Sequence, residues 1–561
     1  MARLIIIFTL FLASGVAFSQ SPIAHKHLDA NNISARFNAN GNNFWNIPQP
    51  DSVFNANTAQ YKFPANAATG TIFSSSLWMG GVVQDSIYTA VSLAGVPTSG
   101  SNPTSSQEFW TGPIPANGQP SNAHANKWNK IWKVAKSEVQ AHITDYQANG
   151  QIDGPVPASI LHWPAKGNPQ AEGNNGASLT INQDAAPFVD VDSNGIYEPN
   201  KGDYPAMKGD QMLWWVYNSL YGQKSATGGG QMSVEIRASA YAYRGNNDSL
   251  LNQTTFVQYE VENKGSKTYQ DFYLGSYTDF DLGCFDNDYA GSHPSTNSYY
   301  AYNGTPIDTC NYDGLNLGYG KNPPMQMVTI LDAPQQDSLM SSFIYYLQKA
   351  TLPDYKDYQR SYRGLKGLLR DSTNFTYGGS GFGGTQPTKY LFPSDPCDTS
   401  SNAWSELSAA NAPAERNGLA GIGPVQQFSP GQTVEVEWAY VTTRPDTSQC
   451  AFGFPASKVQ HIRQFYKNSN DVVSSTQEPP SASKQVQIFP NPSDEQIHIT
   501  FSQHNNGPTI LTLVDSKGQV QLEKQLKGGK TSLDISFLES GVYFIRLEQN
   551  NKTRNRKVIV R

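Results

Sequence analysis

A chain of 561 residues with 15% charged and 12% aromatic side chains, 47 Gly and 35 Pro is too aromatic to remain unfolded and too rich in turn formers for a helical bundle. Its length suits three or four units of roughly 100–200 residues, or fewer if they are large β-domains, and it can bury enough core to fold without metals or disulfides. A net charge of −6 with no strongly basic stretch in the body of the chain argues against a nucleic-acid partner.

Arg3 precedes the apolar run Leu4 to Leu12, and Ala17 and Ser19 follow in small-x-small spacing. That is the pattern of a signal peptide, residues 1–19, with Gln20 opening the mature chain after passage through the Sec route into the periplasm. No later apolar run approaches the ~20 residues a transmembrane helix needs, so no transmembrane segment is expected in the mature chain. Residues 20–470 form a β-rich secreted region with room for two or more sub-domains. A strand is predicted over Thr71–Trp78. A short helix is predicted from Ser137 to Tyr146, with Ser137 as cap and Gln140 three residues on. In Met232–Tyr243 the even positions are apolar and the odd ones mostly polar, which predicts a strand with one side on a core. Phe256–Val261 and Val434–Tyr440 alternate in the same way. The turn Asn263-Lys264-Gly265-Ser266 predicts a hairpin to the following strand. Antiparallel sheets closing as large β-sandwiches, with a few short helices, are the expected fold. The four cysteines, Cys284, Cys310, Cys397 and Cys450, allow three pairings in an oxidising compartment. Cys284 with Cys310 and Cys397 with Cys450 is the pairing of sequence neighbours, and four unpaired thiols remain open.

A last helix is predicted over Lys458 to Lys467. Residues 471–484, rich in Ser, Pro and Gln, read as a linker. Every tryptophan and cysteine precedes it. Residues 485–561 carry alternating Ile497, Ile499 and Phe501, then Leu511 and Leu513, a turn at Asp515–Gly518, Leu533 and Ile535, the β-forming run Gly541–Leu547 and a closing Lys557–Arg561. Six or seven short strands predict a small immunoglobulin-like sandwich. Within it, Ile488-Phe489-Pro490-Asn491-Pro492, then Leu538-x-x-Gly541-x-Tyr543, then the basic ending Lys552, Arg554, Arg556, Lys557, Arg561 resemble, in order and spacing, the type A C-terminal sorting domain of the Bacteroidetes type IX secretion system. The resemblance implies a signal read by the outer-membrane translocon and delivery to the cell surface or medium. The larger region resembles a group of secreted proteins with the same tail, through Ser76–Gly81, Phe109–Pro113, Pro187–Asp192, Lys208–Trp215 and Tyr277–Asp281. That second resemblance implies export and no particular chemistry.

Two acidic groups are the candidate sites. Asp190, Asp192, Asn194, Ile196 and Glu198 alternate around Gly195, so side-chain oxygens and the Ile196 carbonyl could wrap a hard cation such as Ca²⁺. An EF-hand would need Glu where Lys201 stands, and Asp203 is the candidate substitute. The alternative is an Asp/Asn/Gly turn held by its own side chains. Asp279, Asp281, Asp286 and Asp288 form a second, weaker candidate: a calcium site, a solvated acidic loop or catalytic carboxylates. No HExxH, G-x-S-x-G, CxxC or P-loop occurs. His162-Trp163-Pro164 reads as structural. Exposed tryptophans and tyrosines could stack on sugar rings, as in carbohydrate-binding modules; the favoured reading is that they fill β-sandwich cores and hairpin faces. A calcium-stabilised binding, adhesion or structural protein, with a carbohydrate or other surface ligand, is therefore the expectation. The alternative is a secreted hydrolase using acidic-loop carboxylates on polysaccharide.

Overall fold

Strand-forming, turn-rich sequence gives two stacked antiparallel sheets in the larger part of the molecule and a small sandwich at its C-terminus. The computed structural model describes residues 23–46, 59–92, 108–220, 228–245, 248–312, 315–316, 318–334, 339–346, 357–445, 450–469, 486–489, 493, 495–501, 509–515, 519–526, 530–549 and 552–560. The expected signal peptide and linker lie outside these residues. The chain divides into two compact units, Met1–Val473 and Ser474–Arg561.

In the larger unit one nine-stranded sheet is centred on Ile72–Val83, Tyr269–Phe280 and Arg416–Phe428. The other runs Met325–Asp332, Thr433–Thr443, Thr254–Asn263, Val234–Ala242, Gln211–Asn218 through its middle. Leu77, Leu274 and Tyr277 from the first sheet and Leu213, Ile236, Val257 and Trp438 from the second share one buried core. Polar bonds cross it as well. Ser75 Oγ lies 2.7 Å from the Tyr440 hydroxyl, and Asn43 Nδ2 donates to the Tyr259 hydroxyl at 3.0 Å. Buried hydroxyls need such partners, and together they fix the register of one sheet on the other.

The second sheet is covered on its far face too. Trp214, Tyr241, Phe256 and Met327 pack there against Val139 of the helix Lys136–Asn149 and Val459 and Ile462 of the helix Ala456–Asn468. In the strand Val234–Ala242 the even residues, Val234 to Ala242, are buried as expected, but Glu235 and Tyr241 on the odd face are buried as well. The alternation reports which side faces the sandwich core and cannot report a second layer supplied by distant segments.

Two further expectations are corrected. The turn at Asn263–Ser266 joins no hairpin. Both edges of Thr254–Asn263 are taken, by Val234–Ala242 and by Thr433–Thr443, so the chain crosses to the other sheet, where Tyr269–Phe280 pairs with Ile72–Val83 and Arg416–Phe428. Asn263 anchors this corner, its Nδ2 donating to the carbonyls of Lys267 and Phe428, both at 2.9 Å. The helix expected from Ser137 starts at Lys136, and Ser137 lies inside it. Its capping contact comes from Glu138, whose Oε2 accepts from the Ala135 N–H at 3.0 Å. The cysteines pair as Cys284–Cys310 and Cys397–Cys450, with Cα separations of 5.8 and 6.2 Å. Eight of the ten tryptophans are buried in the two cores of the larger unit.

The C-terminal unit has a three-stranded sheet, Val486–Phe489, Gln496–Phe501, Lys530–Asp534, and a four-stranded one, Val520–Leu526, Thr509–Asp515, Gly541–Gln549, Lys552–Val560. Ile497, Ile499 and Leu533 of the first meet Leu511, Leu513, Ile545 and Val558 of the second. This is the small two-sheet sandwich that the spacing of apolar pairs predicts.

Candidate functional site

The loop from Asp190 to Asp203 is closed at its base by a two-residue ladder, Phe188–Val189 against Tyr204–Pro205. It is pinned to the helix Lys136–Asn149 by His142 Nε2, 3.1 Å from the Asp203 carbonyl. Asp203 is buried and ties both arms together. Its Oδ1 accepts from the Val191 N–H and its Oδ2 from the Glu198 N–H, each at 2.8 Å. Asp190 accepts from the N–H groups of Asn194 and Gly195 at 3.2 and 2.6 Å. Asn194 accepts from the Ile196 N–H at 2.8 Å and donates to Asp192 at 2.9 Å and Glu198 at 2.6 Å. Gly195 sits at φ +81° and Gly202 at φ +102°. A side chain at Gly202 would also run into Tyr146, so glycine is required there by both backbone and space. Ile196 is exposed. The six expected residues are thus brought into one loop, wound on Asp/Asn side-chain bonds of the kind that turns use. Among the described residues no three His, Cys, Asp or Glu side chains are placed as a metal-holding set. Burial, followed by the neighbouring charges of Asp190 and Asp192, pushes the Asp203 carboxyl up to about 6.

The second acidic group does not form one loop. Asp279 is the last residue but one of the strand Tyr269–Phe280, Asp288 opens the strand Asp288–His293, and Asp286 is exposed between them. Asp279 and Asp281 sense one another and Glu415, while Asp288 senses Asp308 and Asp281. Asp308 and Glu415 were not legible as members of this group, because they arrive from distant segments. Burial is the main cause that raises the proton affinity of Asp279, Asp281, Asp288 and Asp308, and Asp281 reaches about 8. Asp288 is fully buried, with one oxygen accepting from the Leu282 N–H at 3.2 Å and the other making no hydrogen bond among the described residues.

This has a pH consequence with a definite sign. A carboxyl that holds its proton more tightly folded than unfolded, where its pKa is about 3.9, stabilises the fold below the unfolded value and loses that contribution as pH rises through the folded one. Burial lowers the histidines His25, His27, His124, His142 and His293, which has the opposite effect only below the ordinary imidazole value of about 6.5. Thermal melts are therefore expected to fall between about pH 6.5 and about pH 8, and Asp281→Asn to flatten that slope. A melting temperature that is level or rising across the window would show that these carboxylates are ionised in the fold.

His162 and Trp163 serve structure. His162 Nδ1 lies 2.8 Å from the Gln170 carbonyl, and buried Trp163 donates to the Pro187 carbonyl at 3.0 Å. Among the described residues no helix is long and apolar enough to cross a membrane.

Comparison with known proteins adds the following. Residues 487–561 match the family described as the secretion system C-terminal sorting domain. No curated protein matches the chain. Solved structures with some similarity include a polysaccharide lyase (11% identity, 62% of this chain and 39% of that one, TM-score 0.18), a Ruminococcus gnavus β-glucuronidase (9%, 49% and 44%, 0.13) and PorZ, a surface component of the Porphyromonas gingivalis type IX secretion system (12%, 70% and 48%, 0.12). The chain thus spans less than half the length of each. The tail is another matter, because a matched family, the ordered motifs and the two-sheet sandwich all fall on the same residues. Residues 487–561 are a type IX C-terminal sorting domain, and the chain that carries them is a secreted or cell-surface protein.

Proposed function

We propose that this protein acts outside the outer membrane as a binding, adhesion or structural β-protein, after Sec passage with residues 1–19 as its signal peptide, and that Ca²⁺ stiffens its Asp190–Asp203 loop. The supporting observation is the concentration of charge there. Asp190, Asp192, Glu198 and Asp203 stand in one loop whose only counter-charge within it is Lys201, 2.8 Å from Glu198. Carboxylates crowded in this way repel one another, and a divalent cation relieves the repulsion. Asp190, Asp192, Asn194, Glu198, Asp203 and the Ile196 carbonyl would supply the oxygens. Asp192 and Asn194 are exposed, and binding would exchange their present bonds within the loop for bonds to the ion. Calcium is assigned to this loop rather than to Asp279, Asp281, Asp286 and Asp288, since those four are spread over two strands and the segment between them instead of one loop.

Calorimetry on the mature chain is expected to show stoichiometric Ca²⁺ binding, and EDTA to lower the melting temperature. Saturation at 100 times Kd is worth about 2.7 kcal/mol, and Asp190→Asn should remove most of that difference. No binding heat together with an unchanged melt would leave the loop as a self-satisfied turn.

A further inference from the structure

The strand Val234–Ala242 turns Glu235 and Arg237 away from the sandwich core, toward the outer layer. At this end of the strand the outer layer does not close. It leaves a cavity of about 320 Å³ whose lining includes Pro113, Ala116, His124, Trp128 and Thr180 together with Glu235 and Arg237. Glu235 is 1% exposed. Its Oε2 accepts from the Ile114 N–H at 2.9 Å. Its Oε1 stands 3.6 Å from Arg237 Nη1, beyond a hydrogen bond. Arg237 donates from Nε to Glu260 at 3.2 Å and from Nη1 to Glu262 at 3.0 Å, and its Nη2 makes no hydrogen bond among the described residues. His124 Nε2 lies 2.9 Å from the Pro113 carbonyl. A carbonyl only accepts, so Nε2 carries the proton. Burial keeps this imidazole neutral by lowering its pKa, which leaves Nδ1 as an acceptor.

The cavity therefore offers an underused carboxylate oxygen, an unused guanidinium donor and an imidazole acceptor beside the apolar surfaces of Trp128 and Pro113. A ligand that donates and accepts at neighbouring atoms can pair with both the carboxylate and the guanidinium. Hydroxyl groups do both, and a ring bearing several of them keeps C–H surface to lay on the apolar wall. A volume of about 320 Å³ lies at the small end of ligand sites, which run from about 300 to 1,000 Å³. This favours one or two rings over a long chain. In the lining itself the carboxylates Asp184 and Glu235 outnumber the one guanidinium, Arg237, which disfavours an anionic sugar. We propose that this cavity binds a neutral pyranose unit of a glycan, a reading that rests on the binding role proposed above and gives it a site.

The test is a ligand-observed NMR titration of the full mature chain with glucose, galactose, mannose and N-acetylglucosamine, with glucuronic acid as the anionic comparator. At least one neutral sugar is expected to bind saturably and glucuronic acid not to bind. Ala116→Trp and Thr180→Trp, at exposed lining positions, should each weaken binding by at least about tenfold without altering the melt. Glu235→Gln should weaken it comparably. No binding by any neutral sugar, preference for glucuronic acid, or undiminished binding by both tryptophan variants would overturn the assignment. Calcium calorimetry on the same samples separates the two proposals: a calcium response without sugar binding removes the cavity assignment alone, and sugar binding blocked at the cavity without a calcium response removes the metal loop alone.

Discussion

Arg416→Met is expected to destabilise the larger unit by about 3–5 kcal/mol, the usual effect of removing one partner of a buried ion pair. Arg416 is 1% exposed and Glu406 is completely buried. Nε and Nη2 of Arg416 donate to the two carboxylate oxygens of Glu406, both at 2.8 Å. Arg416 also donates to the carbonyls of Glu415 at 3.1 Å and Ala412 at 2.9 Å, and its guanidinium lies 5.5 Å from the Tyr345 ring centre. Glu406 accepts in addition from the Ala290 N–H at 2.7 Å and from Asn411 at 3.1 Å. Without the guanidinium those two neutral donors are left to hold a buried charge. The pair fastens the segment around Glu406 to the start of the strand Arg416–Phe428, so the loss should appear in the global transition. Because all ten tryptophans lie in the larger unit, tryptophan fluorescence in urea reads that unit alone. The double variant Arg416→Met with Glu406→Gln should recover part of the loss, since it leaves no uncompensated charge. A single-variant loss below about 1 kcal/mol would mean that the pair is no more than a surface-like contact.

The disulfides should matter on a similar scale. Opening Cys397–Cys450, with a sequence separation of 53, is expected to cost about 4 kcal/mol, and opening Cys284–Cys310, separation 26, about 3.5 kcal/mol. Both figures come from the extra freedom of the unfolded chain. The paired Cys→Ser variants, unfolded in urea without reductant, give each value separately, and the 397–450 variant should lose at least as much as the other. Equal stability of the variants and the parent would show that the bonds restrain nothing the fold does not already hold. Such bonds suit a protein that works beyond the reducing cytoplasm, in keeping with the sorting domain at residues 487–561.

The sequence determined this protein's destination and its fold class, because both are written in local patterns. The sorting domain is a short run of motifs in fixed order, and its core positions Ile497, Ile499, Leu511 and Leu513 alternate as half-buried strands must. The even face of Val234–Ala242 was legible for the same reason. The tertiary structure alone decided whatever depends on segments far apart in the chain. The odd face of that strand is buried because the helices Lys136–Asn149, well before it in the chain, and Ala456–Asn468, over 200 residues after it, supply a second layer. The turn at Asn263 crosses between sheets because the neighbouring strand positions are already filled, one of them by Thr433–Thr443. Asp308 and Glu415 join Asp279, Asp281 and Asp288, and Glu235 and Arg237 meet Trp128 and His124 across a cavity. Side-chain periodicity records which face of an element is apolar. It carries no record of which distant surface comes to lie against that face, and buried charge and cavities are made by that second choice.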